Sequence, residues 1–357
     1  MTTRCSLVTT TLIAVLAAGC GGDKAHVAGE DGCPYWSPDG RYVAFERAYN
    51  RAGDLQWDVH VVDAAGRSLR RLTRTSENEE VLGWRSSPQQ IIFDRGGRYP
   101  RYSPLPDDLP ESRQLLALAP TEQAEEMKIG DLSSANRRVL SPDGSWLAVV
   151  TVEQASVIHS DVIVTSLGGV KRWTLPRNYT GVGLPRWSPD STKLAYADSN
   201  EVFRVVRRDG RTLGRIAGNR PVWSPDSRMI AYQGPGAHNN EWAIRVYDVG
   251  RRTSRRLRPV VDELAWSPDS RTVLYNGAGY KRSALWAVRV DGGGSSRRLF
   301  STGGLVYCLR FSPSGNRLAF LRVTLISSGI VPNTNEDLVL ANADGSDMRL
   351  VTSGGSR

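Results

Sequence analysis

The common signatures of chemistry are missing from this sequence. There is no Gly-x-Ser-x-Gly elbow, and the repeats described below leave no length for a hydrolase domain, so the serine-peptidase class is set aside. There is no Cys-x-x-Cys pair and no His-Glu-x-x-His motif, which removes the familiar zinc patterns. Histidine is scarce: His26, His60, His159 and His238 are all there is. A lyase or hydrolase would need His, Arg, Lys or carboxylates gathered at one spot. Glu79-Glu80 and Asp262-Glu263 precede A strands and could line such a spot, but both are read as solvated loop charges. No metal and no cofactor is expected, and no nucleic-acid-binding signature is found. Long apolar runs are absent except over residues 7–18, too short for a mature membrane span.

That one apolar run follows Arg4 and ends Leu16-Ala17-Ala18-Gly19-Cys20, the layout of an export leader. Small residues before a cysteine resemble a bacterial lipobox. The resemblance implies cleavage before Cys20 and lipidation of its thiol and new amino group. Residues 1–19 are therefore expected to be a lipoprotein signal peptide, and residues 20–31 a flexible polar tether. The formal charge is +9, which favours anionic surroundings such as headgroups, acidic polymers or an acidic protein.

What the chain does have is one stretch used seven times. Trp36-Ser37-Pro38-Asp39-Gly40 is followed by Val43-Ala44-Phe45, and in-register copies begin at Trp84, Leu140, Trp187, Trp223, Trp266 and Phe311. Consecutive starts are separated by 36 (Trp187 to Trp223) to 56 residues (Trp84 to Leu140). Proline at the second turn position, aspartate bonding its own backbone and a glycine tolerant of left-handed φ make this a tight turn between two strands, A and B. Ser191, Ser227 and Ser270 stand where other copies have glycine. A third apolar strand, C, and a fourth, D, follow each copy, as in Val59-His60-Val61-Val62 and Arg71-Leu72-Thr73. Such a period predicts an all-β, seven-bladed β-propeller of four-stranded antiparallel blades. Six blades is the alternative, because the Trp84 copy moves its proline to Pro88. The propeller covers residues 32–352, leaving 353–357 as a tail. A short helix is expected near residues 121–128. The aromatic residues at the first and last repeat positions, and His60 on a C strand, are read as blade core.

The Trp-Ser-Pro-Asp-Gly unit with its downstream Arg-Leu-Thr resembles the WD40-like repeat of the TolB family. The resemblance is specific for fold and weak for function, since the same blades serve periplasmic scaffolds, peptidase gating domains and polysaccharide-active enzymes. TolB carries six blades and a separate N-terminal domain. Seven units are present here, so the TolB partner-binding segment is not carried over.

Cys33 and Cys308 remain after Cys5 and Cys20 are assigned to the leader and the anchor. Each stands three residues before its repeat's first bulky residue, on the first and last blades. Either they bridge across the ring closure or they stay as small buried hydrophobes. Equivalent positions point the same way round the ring, which opposes a bridge unless the Cα atoms come within about 7 Å.

With strands alternating in direction, the A–B and C–D turns share one face and the long B–C loops the other. The long-loop face carries Tyr49, Arg51, Trp57, Arg98, Tyr99, Arg101, Tyr102, His238, Trp242, Tyr280, Lys281 and Arg282. Aromatic plus arginine is the composition of binding hot spots on loops held by a rigid frame. The expected protein is thus an envelope lipoprotein and a monomer. It binds a protein or envelope polymer without catalysis, and touches the membrane only through its anchor. A polysaccharide lyase or hydrolase using the same face is the competing reading.

Overall fold

The computed structural model describes residues 31–352 apart from 52–53, 97–111, 122–123, 134–136, 154–158, 168–171, 176–184, 200–201, 239–240, 260–262, 277–283, 292–294 and 328–332. Seven four-stranded antiparallel sheets follow one another along the chain. They span residues 35–71, 79–133, 137–175, 186–217, 219–259, 264–301 and 305–350. Every sheet is built from four consecutive strands, so no strand crosses from one terminus to complete a blade begun at the other. The Trp84 copy forms its own blade: Glu79–Ser86 pairs with Gln89–Arg95 in register from Glu79↔Arg95 to Ser86↔Gln89. Its shifted proline sits in the intervening tight turn, after a cis Ser87–Pro88 peptide. The six-blade alternative is therefore excluded.

The repeat turn works through its serine. In blade one Ser37 Oγ donates to Asp39 Oδ1 (2.6 Å) and accepts from the Tyr42 amide (2.9 Å). Asp39 Oδ1 in turn accepts the Arg41 amide (3.0 Å). One hydroxyl and one carboxylate thus satisfy the backbone groups that the reversal strips of strand partners. The same set recurs at Ser188/Asp190 and Ser224/Asp226.

Apolar side chains meet between the blades. Seven clusters of buried residues are found, and each joins side chains of two neighbouring blades. The aromatic repeat positions are among them: Phe45, Phe93 and Phe320 are fully buried and Trp84, Trp187, Trp223 and Trp266 nearly so. Each tryptophan also has a polar handle to satisfy. The indole N–H of Trp84 donates to Tyr35 O (2.8 Å), Trp187 to Val139 O, Trp223 to Arg186 O and Trp266 to Val222 O. Each bond reaches back one blade. Leu140 and Phe311 have no N–H to give, so their blades lack this tie.

The serines that replace glycine have a reason to do so. Ser191, Ser227 and Ser270 adopt φ of 56°, 60° and 58°. Their hydroxyls accept the amides of Asp143, Asp190 and Asp226 on the preceding blade (2.9–3.0 Å). An inter-blade hydrogen bond thus offsets the left-handed strain. Ser227→Gly is expected to be near neutral, because losing a bond of about 1 kcal/mol is balanced by relief of a penalty of roughly 1–2 kcal/mol. Ser227→Ala loses the bond, keeps the strain and should melt measurably lower in the same thermal scan.

Three expectations change. Residues 124–126 carry no regular structure and Met127–Ser133 is a strand, so the acidic run does not build a helix among the described residues. Part of what read as long B–C loops is ribbon: Tyr42–Arg51 and Asp54–Asp63 pair to their tips, from Tyr42↔Asp63 to Arg51↔Asp54. Glu79 is no solvated charge. It is buried against Arg95 (2.9 Å), Thr75 (2.9 Å) and Thr73, and burial pushes its carboxyl up against the pull of those partners.

The seam between the last blade and the first repeats what the other seams do. Val43, Phe45 and Val62 meet Ala319, Leu338 and Leu340. Trp36 Nε1 donates to Arg310 O (3.3 Å). Thr73 ties Glu79 to the C strand of blade one through its bond from the Val59 amide, and Thr352 ties Asp31 to the Leu338 amide in the same pattern. Cys33 and Cys308 are joined by a disulfide, with Cα atoms 5.4 Å apart.

Asp31 makes this seam sensitive to pH. Burial raises its carboxyl to about 6, outweighing Arg47, Thr352 and the Leu338 amide, with Asp337 adding to the rise. A raised acid contributes its stability below its unfolded value of 3.8 and loses it as pH climbs through the folded value. The protein is expected to lose on the order of 3 kcal/mol between about pH 4 and pH 6 from this group. Asp31→Asn should flatten that part of the stability–pH curve in urea titrations.

Candidate functional site

One position of each repeat, just before its first bulky residue, lies on the first strand of its blade. It is occupied by Tyr35, Gly83, Val139, Arg186, Val222, Ala265 and Arg310. The indole bonds described above hold the carbonyls of four of them, and Trp36 holds Arg310 O. The backbone of those strands is thereby set by the same residues that fill the seams.

Charged groups from several blades converge there. The charges of Arg310, Glu263 and Arg220 and the phenol of Tyr35 all act on Arg186. These residues belong to the seventh, sixth, fifth and first blades, or lead into them, and only the axis brings them together with the fourth. Arg186 is exposed to solvent, and the crowding of protein about it, followed by the charge of Arg310, draws its guanidinium pKa below the ordinary value. Glu263 is raised by burial, against the pull of Arg310 and Arg186. Its own amide is held by Asn276 Oδ1 (2.8 Å). Among the described residues the Arg310 side chain bonds one backbone oxygen, Leu309 O, at 3.4 Å. Among the described residues no carboxylate lies within ion-pair distance of Arg186 or Arg310.

A cavity of about 350 Å³ opens beside Arg310 where the Ser-Pro turns converge. Val222, Ala265 and Leu309 form its walls, and Pro225, Pro268 and Pro313 its rim. The fourth to seventh blades line it, so the cavity is off-centre. Its mouth is on the tight-turn face, opposite the long loops. Its lining is mostly apolar, and Arg310 is the one charged residue in it. Among the described residues no three His, Cys, Asp or Glu side chains gather to hold a metal ion.

The long-loop residues fare differently. Tyr49 is tied into blade one. Its hydroxyl donates to His60 Nε2 (2.6 Å), its ring stacks on the imidazole at 5.5 Å, and the Arg71 guanidinium lies 4.7 Å from its centroid. His60 is buried, donates from Nδ1 to Asp58 O (3.0 Å), and is lowered by burial to about 4, so it is neutral near pH 7. Trp57 and Trp242 are half-buried in strands, and His238 is exposed. Arg51 pairs through its backbone with Asp54, its side chain lying outside the described residues. Arg98, Tyr99, Arg101, Tyr102, Tyr280, Lys281 and Arg282 also lie outside them, as do Cys20 and Asp262. Those placed are not brought together with the axial arginines. The sequence did carry a signal for the latter. Arginine directly before the bulky repeat residue occurs at Arg186 and Arg310, on the first strand of the fourth and the seventh blade.

No family model matches the chain, and no curated protein matches it. Among solved structures, an oligogalacturonate lyase in complex with manganese is 13% identical over 83% of this chain and 87% of its own, at a TM-score of 0.62. A puromycin-hydrolyzing peptidase of Mycobacterium tuberculosis is 14% identical over 93% of this chain and 55% of its own, at 0.61. The chain is a β-propeller. A putative TolB of Agrobacterium tumefaciens is also similar, 19% identical over 64% of this chain and 84% of its own, at 0.45. At such identities the likeness concerns the propeller alone and leaves its activity to be argued from the site.

Proposed function

We propose that this propeller is a non-catalytic binding module of the cell envelope, tethered through a lipid on Cys20, that holds a protein or envelope polymer at its axis. The observation that carries the reading is the mouth on the tight-turn face: apolar walls with Arg310 among them, matched by no carboxylate within ion-pair distance among the described residues. Uncompensated guanidinium groups in a protein-walled channel attract and orient anionic groups. We centre the contact on the tight-turn mouth, since Tyr49 on the opposite face is already engaged by His60. Lipidation is checked by intact mass, with Cys20→Ser expected to abolish the acyl modification.

A second reading, cleavage of an acidic polysaccharide, is favoured by the same arginine. The deciding experiment is incubation of the purified protein with oligogalacturonides while unsaturated ends and reducing ends are followed. The binding reading expects no product over hours at micromolar protein. Product formation that is lost in Arg186→Gln and in Arg310→Gln would establish the enzyme instead.

A further inference from the structure

We infer that the outer edge of the fifth and sixth blades lies against an anionic bilayer, with its arginines on the lipid phosphates. This goes beyond the reading above, since it uses the rim of the ring and leaves the mouth on the tight-turn face free.

The fourth strand of every blade is the last of its sheet, so its outer side has no strand partner. On the fifth blade that strand is Thr253–Pro259, with Arg255, Arg256 and Arg258, and the turn before it adds Arg251 and Arg252. On the sixth it is Arg297–Ser301, which opens with Arg297 and Arg298. All of these except Arg258 are exposed, and the Arg251 side chain keeps 83% of its surface in water. Asp248 reaches Arg251 at 3.6 Å. Among the described residues no carboxylate lies within ion-pair distance of Arg252, Arg255, Arg256, Arg297 or Arg298.

Charged side chains on an edge strand also keep it from pairing with another chain. Elsewhere on the rim that need is met by arginines engaged within the protein. Arg71 pairs with Asp58 (2.6 Å), Arg215 with Asp198 (2.8 Å) and Arg349 with Asp347 (3.0 Å), while Arg70 donates to Pro120 O (2.8 Å). On the fifth and sixth blades the charge instead faces outward unmatched. Like charges set along two neighbouring edges repel one another, and a surface of opposite sign relieves that repulsion.

The form of the patch then selects the partner. Its arginines are strung along an outer edge, and none of them lines the cavity beside Arg310. A folded protein partner needs apolar anchors that lose water at the centre of the interface. Among the described residues the large apolar side chains left exposed are Leu69, Met127 and Leu350, on the first, second and seventh blades. The basic edge thus offers charge without an anchor. Headgroup phosphates suit it, because they present acceptors at many points and require no fitted pocket. Residues 21–30 separate the proposed acyl site, Cys20, from Asp31, an extended reach of about 40 Å at most, so the anchor keeps the ring beside such a surface.

The test uses the full exported chain as Cys20→Ser, so that no acyl chain contributes. It is sedimented with vesicles of phosphatidylcholine, alone or mixed with phosphatidylglycerol. Binding to the mixed vesicles is expected to be at least tenfold tighter and to weaken steeply as salt rises. Changing Arg255, Arg256, Arg297 and Arg298 together to Gln should lose at least tenfold, and changing the same four to Lys should keep most of the binding. Arg41, Arg67, Arg74 and Arg207, exposed on the first and fourth blades, remove equal charge when changed to Gln and should lose less than threefold. Equal losses from the two sets would show that net charge acts alone and would overturn the inference. Equal binding to the two kinds of vesicle would overturn it too, and that comparison needs no arginine variant to fold. Tighter binding to polyglutamate than to the mixed vesicles, at matched charge, would assign the edge to an acidic protein instead. None of these outcomes bears on the mouth, which the oligogalacturonide experiment addresses separately.

Discussion

Reduction of the Cys33–Cys308 bridge is expected to lower the stability of the propeller by on the order of 3–5 kcal/mol. The bridge encloses a sequence separation of 275 residues, so it removes much of the freedom of the unfolded chain. It also crosses the one seam where no covalent chain passes, since every blade is made of consecutive strands. Side-chain direction argued against a bridge between equivalent positions. The structure answers with a bulge: the pairing of Leu305–Phe311 with its neighbour shifts between Tyr307 and Arg310, and Cys308 adopts φ 53°. That turn re-aims one side chain only. Thermal melts with and without reductant read the effect, and limited proteolysis of the reduced protein should cut first near the termini. Cys308→Ser should melt like the reduced wild type and ignore reductant. An unchanged melt on reduction would mean that Trp36, Asp31 and the apolar cluster close the ring unaided.

Arg138→Met is expected to cost about 3–5 kcal/mol, because it strands a buried charge. Asp94, on the B strand of the second blade, and Arg138, on the A strand of the third, form an ion pair with both side chains almost wholly out of water. The second seam lacks an indole tie, since Leu140 stands where most copies have tryptophan. The ion pair is the polar rivet in its place. Charge and counter-charge removed together should cost far less: Asp94→Leu with Arg138→Met is expected within about 1–2 kcal/mol of wild type, or above it. Urea unfolding of the four proteins in the cycle gives the coupling energy directly. A single variant as stable as the double would show that the buried charge is relieved by water.

The fold was largely legible in the chain. Seven in-register copies of a turn flanked by apolar strands leave few architectures open, because each copy exposes two apolar faces that only a neighbouring copy can cover. Local chemistry carried this: in five of the seven turns a serine, a proline and an aspartate act within five residues of one another, as in Ser37, Asp39 and Tyr42. The serines at the left-handed position were visible as substitutions. Their purpose was not, because the amide that Ser191 serves belongs to Asp143, 48 residues away. The axial site was hidden for the same reason. Arg186, Arg310 and Glu263 sit in different blades and look like scattered surface charge in a basic chain. Ring closure alone brings Arg186, Arg310 and Glu263 near enough to act on one another. A repeat determines its own strands by contacts along the chain, whereas the centre of a ring belongs to no single repeat and exists only once all seven have closed.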